Sequence, residues 1–181
     1  MKFETVDIIL KNSKKVTVRE AVPEDADALI RAAKTYLRTS EFLCSYEDEF
    51  NPTEQEEKSW IDAHQAENSL LLVATYKDEI LCTFNATGFQ NKKMYHVAVL
   101  GISILEEWRG MGLGKAMFDL LISWAKNSPL EMLILEVFAE NINAIHLYEK
   151  YGFKVDGIRK GYFKNADGVC HDNILMSLNL K

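Results

Sequence analysis

Residues 101–117 read Gly-Ile-Ser-Ile-Leu-Glu-Glu-Trp-Arg-Gly-Met-Gly-Leu-Gly-Lys-Ala-Met. An apolar strand runs into Arg109-Gly110-Met111-Gly112-Leu113-Gly114. A helix follows directly, since Met117, Leu120, Leu121 and Trp124 recur at helical spacing. Glycines at a strand-to-helix junction let backbone N–H groups converge, and the helix N-terminus adds partial positive charge. Such a turn suits a pyrophosphate. Two other phosphate loops are excluded letter by letter. A P-loop requires Gly at position 109 and Ser or Thr at 116, where this chain has Arg109 and Ala116. The dinucleotide fingerprint requires Gly-x-Gly-x-x-Gly in an early βαβ unit, whereas Gly110, Gly112 and Gly114 alternate and come late in the chain.

Downstream, Leu133-Ile134-Leu135-Glu136-Val137 is an apolar strand holding one carboxylate, which is costly to bury unless it is paired or at work. Asn141 to Phe153 begins with a cap-type Asn and ends at Gly152, so it encodes a short helix with Tyr148 midway. Strand Glu and helix Tyr can face one cleft. Upstream, Ser69–Tyr76, Ile80–Thr87 and Tyr95–Leu105 read as an antiparallel meander. Before it stand a hairpin (Phe3–Leu10 and Val16–Glu20) and two amphipathic helices. The first opens at Pro23 and carries Ala28, Leu29, Ala32, Ala33, Tyr36 and Leu37; the second opens with a Thr53/Glu56 capping box and carries Trp60 and Ile61 on its apolar side. The order predicts a mixed α/β sheet. Without repeats or linkers, residues 1–181 read as one domain.

Composition narrows the partners. Lys and Arg number 21 against 27 Asp and Glu, a net charge of −6, opposite in sign to what nucleic acid or an anionic membrane attracts. No window reaches the roughly 18 consecutive apolar residues of a membrane helix. Cys44, Cys82 and Cys170 share no metal-type spacing, and reduced thiols in a cytoplasmic protein are the simplest reading. His64, His96, His146 and His171 are scattered, so no metal is expected. The sequence leaves the oligomeric state open, a homodimer included.

With both constellations in order, the sequence resembles the GNAT superfamily of acyl-coenzyme-A-dependent N-acetyltransferases. Its loop pattern (Gln or Arg, two residues, Gly, one residue, Gly or Ala) is matched by Arg109, Gly112 and Gly114. Its downstream pattern is matched by Asn141, Ala144, Leu147 to Lys150 and Gly152-Phe153. The resemblance extends from Val18-Arg19-Glu20-Ala21 to Ile174–Leu178. It implies a single sheet layer of about six to seven strands flanked by helices. It implies acetyl-CoA as co-substrate, with Ile102, Ser103 and Ile104 offering backbone to the pantetheine arm, Arg109, Gly110, Met111, Gly112, Leu113 and Gly114 holding the pyrophosphate, and Asn141 bonding the cofactor from the facing side. In the similar ribosomal-protein N-terminal acetyltransferases, the carboxylate matching Glu136 acts as base and the tyrosine matching Tyr148 as acid. Glu106 and Glu107 rival Glu136 as base.

Attack of an amine on a thioester needs a neutral nucleophile, a stabilised oxyanion and a protonated leaving thiolate. At pH 7 roughly one α-amine in seven is neutral, against about one lysine-like amine in 2,500, a gap of about 3.5 kcal/mol. A base such as Glu136 matters most for the alkylamine, and a tyrosine keeps its proton at neutral pH. The oxyanion donor would be a backbone N–H of residues 102–105. The acceptor, a small-molecule amine or a protein amino group, is not specified. Tyr162 and Phe163 fit either an acceptor pocket or strand packing. The stretch Glu41 to Glu57 holds seven acids and no Lys or Arg up to Glu57, which suits either attraction of a cationic amine or a solvated face. A non-catalytic acyl-CoA-binding module is the alternative reading.

Overall fold

In the computed structural model, which describes residues 3–181, the chain runs β1 (Val6–Ile9), β2 (Lys15–Glu20), α1 (Ala26–Thr39), α2 (Glu54–Ala63), β3 (Leu70–Tyr76), β4 (Glu79–Gly88) and β5 (Val97–Ile104). It continues through α3 (Leu113–Lys126), β6 (Met132–Phe138), α4 (Ile142–Lys150), β7 (Lys154–Lys164) and β8 (Cys170–Asn179). All eight strands join one sheet in the order β1-β2-β3-β4-β5-β6-β8-β7. Eight exceeds the six to seven expected because the edge strand β7 buries no side chain fully.

The helices start where the sequence places them. The Thr53 hydroxyl accepts the Glu56 N–H at 3.2 Å while the Glu56 carboxylate accepts the Thr53 N–H at 2.7 Å, closing the capping box of α2. Asp25 accepts both Arg19 guanidinium nitrogens, at 2.6 and 2.8 Å, and fixes the entry to α1. Leu29, Ala32 and Tyr36 turn inward from α1. On α2, Ile61 is buried but Trp60 is exposed, contrary to the apolar face expected for it. Its ring instead stands edge-on to His64, with centroids 4.7 Å apart. His64 is structural: its ring nitrogens contact the Trp60 carbonyl and the Thr87 hydroxyl, each at 2.8 Å, pinning α2 to β4.

Phe118 on α3 organises the other side of the sheet, touching Phe84 of β4 (centroids 4.6 Å), Tyr148 of α4 (5.6 Å) and Tyr151 (5.0 Å). Every neighbouring strand pair is antiparallel except β5–β6, which run parallel and pair only from Val97 to Val99 against Met132 to Ile134. Beyond Val99 the two strands separate, and the sheet opens into two leaves. That separation creates the site, because it frees one backbone edge of β5 in the middle of a sheet.

Candidate active site

A cavity of about 580 Å³ occupies the opening between the leaves. Its lining includes Ile102, Ser103, Ile104, Arg109, Gly110, Gly112, Gly114, Asn141 and Tyr148, which are nine of the twelve residues selected from sequence. The other three lie off it. Leu113 is fully buried and faces the core. Met111 turns to the β1–β2 hairpin, where its sulfur accepts the Asn12 amide at 2.8 Å. Glu136 stands on the outer leaf, half exposed, so the strand carboxylate is paired rather than buried.

The β5 wall is made of backbone. The Leu105 N–H donates to the Leu81 carbonyl at 2.9 Å, and hydrogen bonding to β4 alternates from there. Ser103 therefore points its backbone at β4, while the backbones of Ile102 and Ile104 face the cleft. The Ile104 carbonyl accepts the Arg109 Nε–H at 3.1 Å. The rest of that edge offers strand-like hydrogen bonds to a ligand lying along it.

The turn follows. Gly110 (φ +73°) and Gly112 (φ +90°) are left-handed, a conformation that costs an L-residue about 1–2 kcal/mol. Gly112 caps α3 without a side chain, so the first-turn N–H groups have no capping oxygen and converge on the cavity mouth. Lys115 also lines the cavity and is paired with Asp119 at 2.6 Å. Sequence reading missed a third cation, Lys11. The β1–β2 turn brings it over the glycines, with its N–H donating to the Met111 carbonyl at 3.1 Å and its ammonium to the Gly110 carbonyl at 3.4 Å. A contact across 99 residues leaves no local signal.

The facing wall is α4. Asn141 caps it, its side-chain oxygen accepting the Ala144 N–H at 3.3 Å, which leaves its amide N–H₂ for the cavity. Tyr148 is buried against Phe118 and Phe153, and burial pushes its phenol up to about 12. Tyr36, Ser40, Phe42 and Leu43 close the inner end. Tyr36 was read only as a helix-stripe residue. Its buried hydroxyl has no partner of hydrogen-bond geometry, and burial raises it far above the ordinary range although Thr83 lies alongside.

A second cavity, of about 540 Å³, adjoins the first through Ser40 and Leu43. It lies between the 40–46 link and the β7–β8 turn. Phe138 and Phe163 stack there with centroids 3.9 Å apart and planes within 8°. Phe163 thus serves both the packing and the cavity, while Tyr162 is exposed. The Tyr46 hydroxyl accepts the Ala166 N–H at 2.8 Å and bridges the two sides.

The acids from Glu41 to Glu57 have mostly local work. Glu56 caps α2, Glu49 accepts the Tyr46 N–H at 2.8 Å, Glu47 meets Arg38 at 3.4 Å and Glu54 meets Lys58 at 2.6 Å. Glu106 and Glu107 sit exposed on the turn after β5, outside the cavity lining. The three cysteines are free. Among the described residues, no group of three His, Cys, Asp or Glu could hold a metal ion, and no helix is long and apolar enough to cross a membrane.

A strand freed along one edge, a glycine turn whose helix start has no side-chain cap and a facing helix define an α/β protein with an open cleft between two leaves of its sheet. The chain belongs to the acetyltransferase (GNAT) family, whose model matches residues 32–153. It is similar to the [ribosomal protein bS18]-alanine N-acetyltransferase of Escherichia coli strain K12, with 36% identity over 80 residues, which is 44% of this chain and 53% of that protein. Among solved structures, an acetyltransferase of the GNAT family from Streptococcus pneumoniae aligns with a TM-score of 0.87 and 28% identity, covering 91% of this chain and 99% of that one. A GNAT superfamily phosphinothricin acetyltransferase from Sinorhizobium meliloti, in complex with AcCoA, shares the fold: TM-score 0.77, 22% identity, 91% of this chain and 88% of that one. The matches span about two thirds or less of the length of the curated relatives.

Proposed function

We propose that this chain transfers the acetyl group of acetyl-CoA to a primary amine, a small-molecule amine or a protein amino group, by direct attack of the amine on the thioester. The observation that carries the reading is the cavity itself. One strand edge, one uncapped helix terminus and one buried tyrosine converge on it, and they offer an oxyanion donor, a phosphate site and a proton donor, with Glu136 standing outside its lining.

The cofactor fits what is present. The free edge of Ile102 and Ile104 matches the amides of a pantetheine arm. The N–H groups from Gly112 onward, with Arg109, Lys115 and Lys11, match its phosphates. Asn141 bonds it from α4. When bound, acetyl-CoA supplies an electrophilic carbonyl and a thiolate leaving group.

The remaining steps belong to the chain. A backbone N–H of the 102–104 edge stabilises the oxyanion that develops on the acetyl oxygen. As the amine nitrogen bonds to the acetyl carbon and the C–S bond breaks, the amine proton passes to Glu136, directly or through water. Tyr148 donates its proton to the departing sulfur. Burial favours the neutral phenol, so Tyr148 holds that proton across the whole physiological range. The products are an N-acetylated amine and free CoA.

Thiol release from acetyl-CoA, read against spermidine, a set of free amino acids and a peptide N-terminus, tests the reading. Turnover with at least one amine is expected. Binding of acetyl-CoA, seen as a rise in melting temperature, without thiol release from any amine would favour the non-catalytic module.

A further inference from the structure

Glu136 does not stand alone on its leaf. The register pairs Arg159 of β7 with Asn173 of β8, and Asn173 with Phe138 of β6. Alternation along each strand then puts Glu136, Arg159 and Asn173 on one face. Arg159 Nη1 donates to Glu136 Oε1 at 2.9 Å, and Asn173 Nδ2 donates to Glu136 Oε2 at 2.6 Å. Both carboxylate oxygens therefore face donors of the protein rather than an amine.

Two features set this cluster apart from a stabilising ion pair. The Arg159 and Glu136 side chains are 43% and 44% exposed, and exposed pairs contribute little to stability. Asn173, by contrast, is fully buried, and its Oδ1 has no hydrogen-bond partner among the described residues. A buried acceptor left unpaired is costly to the fold. The cluster thus has a cation in contact with the base and is one donor short.

A ligand that meets the exposed part of the cluster brings an anion for Arg159 and an N–H donor for Glu136, while Asn173 stays beneath them. Because the guanidinium and the carboxylate are only 2.9 Å apart, its anion and its amine must be on adjacent atoms. A polyamine has no anion, and a peptide N-terminus has a neutral carbonyl in that place.

We infer that the acceptor is a free α-amino acid. This rests on the reading of Glu136 as the base. The acceptor's carboxylate takes the Arg159 guanidinium as a bidentate partner, which draws it away from Glu136 Oε1. The freed oxygen then receives the amine proton, while Asn173 Nδ2 keeps Oε2 in place. Nitrogen bonds to the acetyl carbon, sulfur leaves with the Tyr148 proton, and no further reactant is needed. Arg159 acts here as a positioning residue that makes the base available only when the right acceptor is present.

The test compares free L-amino acids with their α-amides in the thiol-release assay, in the parent protein and in Arg159→Gln and Arg159→Lys. The acid is expected to exceed its amide in kcat/KM by about tenfold or more in the parent. The amide's amine is the less basic, so neutral-amine supply alone would favour the opposite order. Arg159→Gln should bring the acid-to-amide ratio to within about twofold of unity, and Arg159→Lys should keep part of the preference. A merely structural Arg159 would lower both substrates together and leave the ratio unchanged, which overturns the inference. So does an amide that equals its acid in the parent protein, or turnover confined to spermidine or the peptide. In those last cases acetyl transfer itself still stands; no thiol release from any amine overturns both.

Discussion

The two leaves of the sheet that flank the cleft are built by different means. The β5 wall with its glycine turn presents backbone: an unpaired strand edge, left-handed glycines and uncapped helix N–H groups, all within residues 102–115. The outer leaf presents side chains from separate elements, Glu136 from β6, Asn173 from β8 and Arg159 from β7, assembled by strand register. A backbone-built wall is fixed by local conformation and backed by a dry core. A wall built from side chains is fixed by pairing between distant segments, and its contacts stay half exposed.

Breaking the packing beneath each wall should show the largest difference. Phe118 is fully buried under α3 and α4, and Phe118→Ala should cost about 3–5 kcal/mol. Phe163 stacks on Phe138 at the open groove and is only partly buried, so Phe163→Ala should cost about 1 kcal/mol. Denaturant melts of the two variants measure this. Equal losses would mean that the outer leaf is as firmly packed as the inner one.

Chemistry separates the walls next. Tyr148→Phe keeps the ring contacts with Phe118 and Phe153 and removes one proton. It should lower kcat about 100-fold while acetyl-CoA affinity stays within about twofold. With its phenol near 12, Tyr148 should also cause no fall in kcat as pH rises to about 10. An alkaline limb that disappears in Tyr148→Phe would show that the tyrosine titrates in range and has another role.

The same contrast explains what the sequence disclosed. The glycine turn, the cap at Asn141 and the helical stripe around Tyr148 are written in contiguous residues, so local rules reach them. The number of strands was less legible, since β7 lies at an edge and carries little apolar alternation. Lys11, Arg159 and Asn173 were invisible. A lysine in a polar turn and an arginine on an exposed strand gain meaning only when the sheet closes. Of the acids of residues 41–57, Glu56 is legible as a cap through its spacing from Thr53, while Glu49 is legible only as charge, because its turn carries no such signal.

Lys11 sharpens the contrast, since its charged side chain reaches the backbone-built wall from far away in sequence, as do Asn12 at Met111 and Tyr151 at the Lys115 carbonyl. Lys11→Met keeps most of the aliphatic stem and removes the charge. It should weaken acetyl-CoA binding about fivefold, about 1 kcal/mol, with the acceptor KM unchanged. Calorimetric titration with acetyl-CoA reads this directly, and a loss under twofold would leave the phosphates to the helix terminus and Arg109.

Ionic strength makes the smallest and most general distinction. The proposed phosphate site offers Lys11, Arg109 and Lys115, and of these Lys115 is already ion-paired, with Asp119. On the outer leaf Glu136 pairs with Arg159 and Asp172 with Lys160 at 2.6 Å, and in the neighbouring link Glu47 pairs with Arg38. Glu49 and Glu56 are spent on local backbone. Raising salt from about 0.05 to 0.5 M contracts the screening length from over 10 Å to about 4 Å. The acetyl-CoA KM should therefore rise about threefold, while the acceptor KM should move by less than twofold, because an acceptor with no net charge meets a leaf with little net charge. A steep rise in acceptor KM would instead restore the acidic 41–57 stretch as an attractor for cations, and the two walls would then differ in the sign of their charge rather than in how they are built.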